Sequence, residues 1–265
     1  MDSIFNIRFP LILDYDNSSK IEFENDKGND LNFNRGIYYL HGENGSGKTT
    51  FLNILALVTG TIGKKATGKG TVTFSGEAYN GKKFTYLRAA DIREEYFCIF
   101  PQKAFFLPVS TRDNYIILNG SDKEKEHTLS SDEFPDLLSG GQQQRILMDI
   151  LLDDSKPVWF LDEPLTNMDI ERRHYFWKCM EKAINNGVNT IFFIDHWLGN
   201  TILMDKDFHH HATINASRYS FQKRKTTSPE TQPIDIYENN TPEGFFSRQE
   251  QVVKREITVK RNRAL

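Results

Sequence analysis

The chain has 265 residues, 38% of them hydrophobic and 26% charged, and a formal net charge of −3. That length holds one large domain or a domain with a small appendage, in either case with a proper core, and the composition is that of a soluble globular protein. The slightly acidic balance speaks against a globally basic nucleic-acid binder, and no apolar run approaches the roughly 20 residues that span a bilayer.

The first apolar stretch, Ile4 to Leu13, is broken by Asn6, Arg8 and Pro10 and has no small-residue cleavage site, so a cytoplasmic location is expected. From Ile4 to Leu40, bursts such as Leu11-Ile12-Leu13 and Ile21-Glu22-Phe23-Glu24 alternate with the turn-rich segments Asp14 to Lys20 and Asn25 to Asp30, which predicts an antiparallel β-layer. Ile37 to Leu40 then reads as a buried strand and Phe51 to Val58 as a helix.

Between them lie Gly42, Glu43, Asn44, Gly45, Ser46, Gly47, Lys48, Thr49 and Thr50. Strand, glycine loop and helix together let successive backbone N–H groups converge on a phosphate chain, and the helix adds its positive end. In such a loop Lys48 reaches the β- and γ-phosphates and Thr49 offers its hydroxyl to Mg²⁺. Nucleoside triphosphate binding is the working premise.

Further on, Gly60 to Gly70 reads as loop, and Thr71 to Phe74 and Lys83 to Tyr86 as strands around a turn at Asn80-Gly81. Tyr96 to Phe100 is an apolar strand ending at Pro101-Gln102, and the charge run Asp122 to Glu126 is expected to be a solvated helix face. The two cysteines, Cys98 within that strand and Cys179 in a predicted helix, suit free thiols better than a disulfide or metal pair. Leu138-Ser139-Gly140-Gly141-Gln142-Gln143-Gln144-Arg145 precedes apolar residues at helical spacing, so Ser139 is an N-cap and the two glycines open a helix. This is a second backbone terminus suited to an anion.

Val158 to Leu161 has the continuous apolar character of a central parallel strand and ends in Asp162-Glu163-Pro164. Ligands of open α/β sheets bind beyond the carboxyl ends of the strands. Adjacent carboxylates on extended backbone point apart, so one can serve Mg²⁺ through water while the other addresses a nucleophilic water. Glu171 to Ile184 is predicted helical, with a stop at Asn185-Asn186-Gly187, and the strand Thr190 to Ile194 ends in Asp195-His196-Trp197. A neutral imidazole there can both donate and accept near a γ-phosphate. His209, His210 and His211 are consecutive and cannot all face one site on a strand, so packed or solvated roles are expected. From Gln222 the chain is polar, punctuated by Pro229, Pro233 and Pro242, and ends with Lys254, Arg255, Lys260, Arg261 and Arg263; a weakly packed extension is expected, with room for a short terminal strand in the alternations Gln251 to Val253 and Ile257 to Val259.

Taken together, the glycine loop, Gln102, the Leu-Ser-Gly-Gly-Gln run, Asp162-Glu163, Asp169 and His196 occur in an order that resembles the ATP-binding cassette (ABC) family. The resemblance implies an α/β fold: a P-loop NTPase core of mostly parallel sheet, an antiparallel β-subdomain and a short helical subdomain. It places the cassette at residues 1–221, with the helical subdomain at about 103–145 and a C-terminal extension at 222–265. It also implies roles. Lys48 and the backbone of Gly45 to Lys48 hold ATP, Thr49 and Gln102 ligate Mg²⁺ with Asp162 acting through water, Glu163 is the general base, and His196 contacts the γ-phosphate. Asp169 is the aspartate of the loop after Glu163, and Tyr15 is preferred to Phe23 as the ring that stacks on adenine.

In the family the signature faces the nucleotide of the other protomer, so Ser139, Gly140, Gly141 and Gln142 are expected to act in trans. A second cassette, identical or closely similar, is therefore an expected partner. The resemblance further implies a subunit that sits on the cytoplasmic face of the membrane and drives a separate transmembrane permease. Three departures stand out: Leu165-Thr166-Asn167-Met168-Asp169 in place of the usual small-residue loop, Met148-Asp149-Ile150 after the signature, and a short segment from Gln102 to Ser139. A soluble cassette in a cytosolic or nucleic-acid-associated assembly, or a regulatory cassette with weak hydrolysis, is the alternative. No long heptad run and no second P-loop is present, and no nucleic-acid partner is expected.

Overall fold

The computed structural model describes residues 4–15, 19–28, 30–58, 70–78, 86–102, 105–119, 133–152, 156–166, 168–196, 199–222, 225–226 and 229–240, and near the C-terminus 245, 248–249, 251–252 and 254. In chain order β1 (Phe5–Arg8), β2 (Leu11–Tyr15), β3 (Ser19–Asn25) and β4 (Leu31–Phe33) precede β5 (Gly36–His41), which runs into the glycine loop and α1 (Lys48–Leu55). Then come β6 (Thr71–Phe74), β7 (Glu77–Ala78), α2 (Tyr86–Tyr96), β8 (Phe97–Phe100) and α3 (Thr111–Asn119). A 3₁₀ turn at Pro135–Leu137 leads to α4 (Gly140–Leu151), β9 (Val158–Asp162), α5 (Ile170–Asn185), β10 (Thr190–Ile194) and α6 (Gly199–Met204). The remaining strands are β11 (His209–Gln222), β12 (Lys225–Thr226) and β13 (Glu230–Asn239).

The main sheet has the order β2-β3-β11-β13-β5-β10-β9-β8, with β12 paired to β11. Its β5-β10-β9-β8 half is parallel and the other half antiparallel. A second, antiparallel sheet has the order β4-β1-β6-β7. A parallel core beside antiparallel layers is the expected α/β class.

The parallel strands are apolar throughout because both of their faces are covered. Alternate residues go to opposite cores. Tyr38, Phe160 and Phe192 join the core that includes α1 and the small sheet, whereas Tyr39, Trp159 and Phe193 join the one formed with α4 and α5. In the first core three rings stack across neighbouring strands: Tyr38 on Phe192 at 5.1 Å and Phe192 on Phe160 at 5.3 Å between centroids.

Several expectations change. Tyr86 opens α2 rather than ending a strand, and Tyr96 closes that helix, so β8 starts one residue later. Gln251 and Val252 are helical where a terminal strand had room, and the predicted loop before Gly70, the turn at Asn80-Gly81, the charge run Asp122 to Glu126 and the end from Arg255 onward lie outside the described residues. His211 takes the packed one of the two roles expected for the histidine run, with Nδ1 3.0 Å from Glu238 and its ring against Phe33 and Tyr38.

The largest departure is β13, which fills the centre of the main sheet where a weakly packed extension was expected. Pro233 suggested an edge or a loop, since a proline inside a ladder loses a hydrogen bond. Here its carbonyl points at the glycine loop, 2.8 Å from where a Cβ on Gly42 would stand. The side lacking an N–H therefore faces the point where β5 has already ended, its ladder with β13 running only from His41 backwards. No ladder bond is lost.

Candidate active site

The glycine loop leaves the carboxyl end of β5, and neighbouring backbone dictates its composition. A side chain on Gly42 would strike the Pro233 carbonyl, and Gly47, at φ 97°, adopts a left-handed conformation that leads into α1. The Lys48 ammonium is buried and donates to the carbonyl oxygens of Gly42 at 2.7 Å and Glu43 at 2.8 Å. The loop thereby holds its own cation over the phosphate cradle. Burial lowers the Lys48 pKa, and the charges of Glu163 and Asp162 oppose that shift.

Next to the cradle, the Thr49 hydroxyl donates to Asp162 Oδ1 at 3.2 Å. Asp162 closes β9 and is only 5% exposed; desolvation raises its pKa, the Thr49 hydrogen bond lowers it, and the neighbouring Glu163 charge raises it again. Hydroxyl and carboxylate oxygens are the donor set of a hard cation, and a buried carboxylate of raised pKa is one that a divalent ion would stabilise in its charged form. The pair thus fits Mg²⁺.

Glu163 has a positive φ of 50°, which is costly for a residue with a side chain and is found where function over-determines the backbone. Its N–H still donates to the Ile194 carbonyl at 2.8 Å, so the strand ends stay joined as the chain turns. The carboxylate is held on both sides: Oε1 lies 3.3 Å from His196 Nε2, and Thr166 Oγ1 donates to Oε2 at 3.2 Å. Asp195 ties the two loops from below, its Oδ2 accepting the Leu165 N–H at 3.1 Å while its own carbonyl accepts from the Tyr39 hydroxyl at 3.0 Å.

Lys48, Thr49, Asp162, Glu163 and His196, singled out from the sequence, therefore converge at adjacent strand ends. Gln102 is exposed two residues beyond β8, whose last register partner in β9 is Leu161, opposite Phe100. Tyr15 ends β2, level with Ser19 of β3. Thr166 and Asp195 were not expected as supports. Thr166 alone left a trace in the sequence, as a hydroxyl residue one turn beyond the acidic pair.

The signature occupies the start of α4, and its side chains first serve that helix. Ser139 Oγ accepts from the Gln142 N–H and Gln142 Oε1 accepts from the Ser139 N–H at 2.9 Å, a capping box. Among the described residues, no hydrogen bond or ion pair joins Ser139, Gly140, Gly141 or Gln142 to the glycine loop. Asp169 caps α5 and pairs with Arg172 at 3.1 Å. A Cβ added to Gly141 would fall inside the Arg172 guanidinium, so one arginine spans the signature glycine and the loop after Glu163. The larger residues of that loop have a packing reason: Leu165 and Met168 are buried in the core shared with α4 and α5.

A phosphate loop with a tethered lysine, a hydroxyl–carboxylate pair for a cation, and a carboxylate–histidine couple at adjacent strand ends define a P-loop nucleotide hydrolase. Residues 27–166, more than half of the chain, match the family model described as ABC transporter. The chain belongs to that family of ATPases.

Among its relatives is the high-affinity zinc uptake system ATP-binding protein ZnuC of Bacillus subtilis, 29% identical over 167 residues, which are 58% of this chain and 70% of that protein. The molybdenum import ATP-binding protein ModC of Methylococcus capsulatus is 29% identical over 177 residues, 61% of this chain and 46% of that protein, so the chain spans less than half of that relative. A dimeric post-hydrolysis state of the ATP-binding cassette MJ0796 bound to ADP and Pi superposes with a TM-score of 0.55 at 20% identity, covering 72% of this chain and 88% of that one. At that identity the likeness is one of fold. Among the described residues, no helix is long and apolar enough to cross a membrane.

Proposed function

We propose that the chain is the ATP-binding and hydrolysing subunit of an ABC importer, acting on a separate transmembrane permease from the cytoplasmic face through ATP-dependent closure of a cassette dimer. The observation that carries the chemistry is the Glu163–His196 couple, at 3.3 Å, beside the Thr49–Asp162 pair. The names of the relatives, zinc uptake and molybdenum import, support the direction of transport.

In this reading the glycine-loop N–H groups and Lys48 bind the β- and γ-phosphates. Thr49, Gln102 and Asp162 would hold Mg²⁺, which when bound with ATP neutralises charge on the transferring phosphoryl group. Glu163 accepts the proton of the attacking water, its two oxygens fixed by Thr166 and His196 so that little reorganisation remains for the reaction. His196 offers its ring nitrogen at the γ-phosphate end of the site. Tyr15 stacks on the adenine. Ser139, Gly140, Gly141 and Gln142 close over the partner's nucleotide rather than over their own, in keeping with the lack of bonds to the home glycine loop.

The test is Glu163→Gln, which keeps the size and hydrogen-bonding reach of the side chain. Steady-state hydrolysis should fall by about 10²–10⁴-fold while ATP affinity is retained, and the variant should accumulate as an ATP-bound dimer on gel filtration. Unchanged turnover would remove Glu163 from the base role. Purification from membranes should bring down a multi-spanning protein; recovery of ribosomal or nucleic-acid partners alone would defeat the transport reading.

A further inference from the structure

A cavity of about 190 Å³ opens between the glycine loop and the antiparallel half of the sheet, lined by Asn44, Gly45, Ala216, Arg218, Glu230 and Gln232. Four of these residues belong to β11 and β13, strands to which phosphate binding and hydrolysis assign no part. Strand alternation puts them on one face: Ala216, Ile234 and Ile236 are buried in the core that holds Phe51 of α1, so Arg218, Gln232 and Glu230, displaced by even steps, continue that face to its open end. Register makes Arg218 level with Glu230 and Gln232 level with Ala216.

Two of the lining groups await a ligand. The Gln232 amide nitrogen donates to Glu230 Oε1 at 3.3 Å, which fixes the orientation of the amide, because the flipped form would set its oxygen against a carboxylate oxygen. The other end, Oε1, is buried and has no hydrogen-bond partner. A buried acceptor of this kind calls for a donor. Arg218 is exposed at the rim and, although level with Glu230, makes no ion pair among the described residues.

The cavity also lies on a defined path. From the phosphate cradle at the end of β5, the next strand tops are β13, β11, β3 and β2, and β2 ends at Tyr15. Strands are spaced about 4.8 Å apart, so β13 and β11 stand one and two spacings out from the cradle. Beyond the terminal phosphates of a nucleotide, in that direction, come the α-phosphate, which is an anion, and the sugar joined to it, whose hydroxyls are donors.

Resting on the nucleotide-binding role of the glycine loop, we propose that this cavity is the ribose compartment of the site: Gln232 Oε1 accepts from a sugar hydroxyl, and the Arg218 guanidinium faces the α-phosphate. Neither residue belongs to the glycine loop, the acidic pair or the signature. The third strand-end group, Glu230, orients the Gln232 amide.

Calorimetric titration of the Mg²⁺-supplemented protein with ATP, 2′,3′-dideoxy-ATP and pyrophosphate separates the possibilities. Wild type should prefer ATP to the dideoxy nucleotide by roughly tenfold, and Gln232→Leu and Gln232→Ala should both erase that preference. Arg218→Ala should weaken ATP by roughly tenfold and leave pyrophosphate unchanged. Variants that melt with wild-type cooperativity yet keep the preference for ribose would overturn the assignment, as would equal loss of ATP and pyrophosphate in Arg218→Ala. Wild type that binds ATP without regard to the sugar hydroxyls sinks the ribose compartment alone. Wild type that binds neither ATP nor pyrophosphate sinks the nucleotide reading with it.

Discussion

At the scale of single residues, the site opposes a buried acid to a buried base. Asp162 has a pKa above that of an exposed aspartate, chiefly because it is desolvated. Its folded-state value therefore lies above the unfolded one, so its contribution to stability is full at pH below the ordinary carboxylate range and is lost as the pH rises through the raised value. Asp162→Asn removes that loss. In calorimetric melts without Mg²⁺ or nucleotide, the variant should melt higher than wild type at neutral pH, with the gap closing toward acid pH; a gap that widens on acidification would show that the carboxylate stabilises the empty site. The residues that converge on the candidate site, Lys48, Thr49, Asp162, Glu163 and His196, were readable in the sequence because phosphate binding and cation binding impose fixed residue types at fixed spacings. Their supports were not, because a hydroxyl at Thr166 or a carboxylate at Asp195 acquires its role only from the strand end it faces.

Among the elements, α4 and α5 are coupled by one side chain. Gly141 has no Cβ, and the space this leaves is occupied by the Arg172 guanidinium, which also pairs with Asp169. Gly141→Ala should displace the Arg172 guanidinium, the far end of a flexible side chain, at small cost to the fold, and lower ATP turnover at least tenfold with ATP affinity unchanged; in the double variant with Arg172→Ala the melting shifts should depart from their sum. Strict additivity of the two melting shifts would mean that the residues do not touch. Burial holds β13 in place: Ile234 and Ile236 are fully buried in the core beneath the glycine-loop helix. Replacing Ile236 by Ala should cost about 2–5 kcal/mol in denaturant unfolding, whereas a weakly packed extension would tolerate it. Helices α2 and α6 and the long strand β11 had no reading of their own, whereas the parallel strands, α1, α4 and α5 were legible from apolar period and cap residues, α5 to within one residue at each end. β13 was not, because Pro233 and its polar neighbours read as loop until the end of β5 is seen to release that position from the ladder.

For the molecule as a whole, the parallel half of the sheet carries the glycine loop and the Glu163–His196 couple, and the antiparallel half carries Tyr15 and the residues around Arg218. Among the described residues, the strand that joins these halves edge to edge is β13, between β5 and β11. That order has a consequence for synthesis. Because chains emerge from the amino end, the glycine-loop strand β5 keeps one edge open, on the side away from β10, until residues 230–239 have left the ribosome. In the proposed reading a nascent chain therefore has the phosphate loop long before it has the strands β11 and β13 that wall the cavity beside it. On that reading, copies truncated before β13 would meet ATP with half a grip.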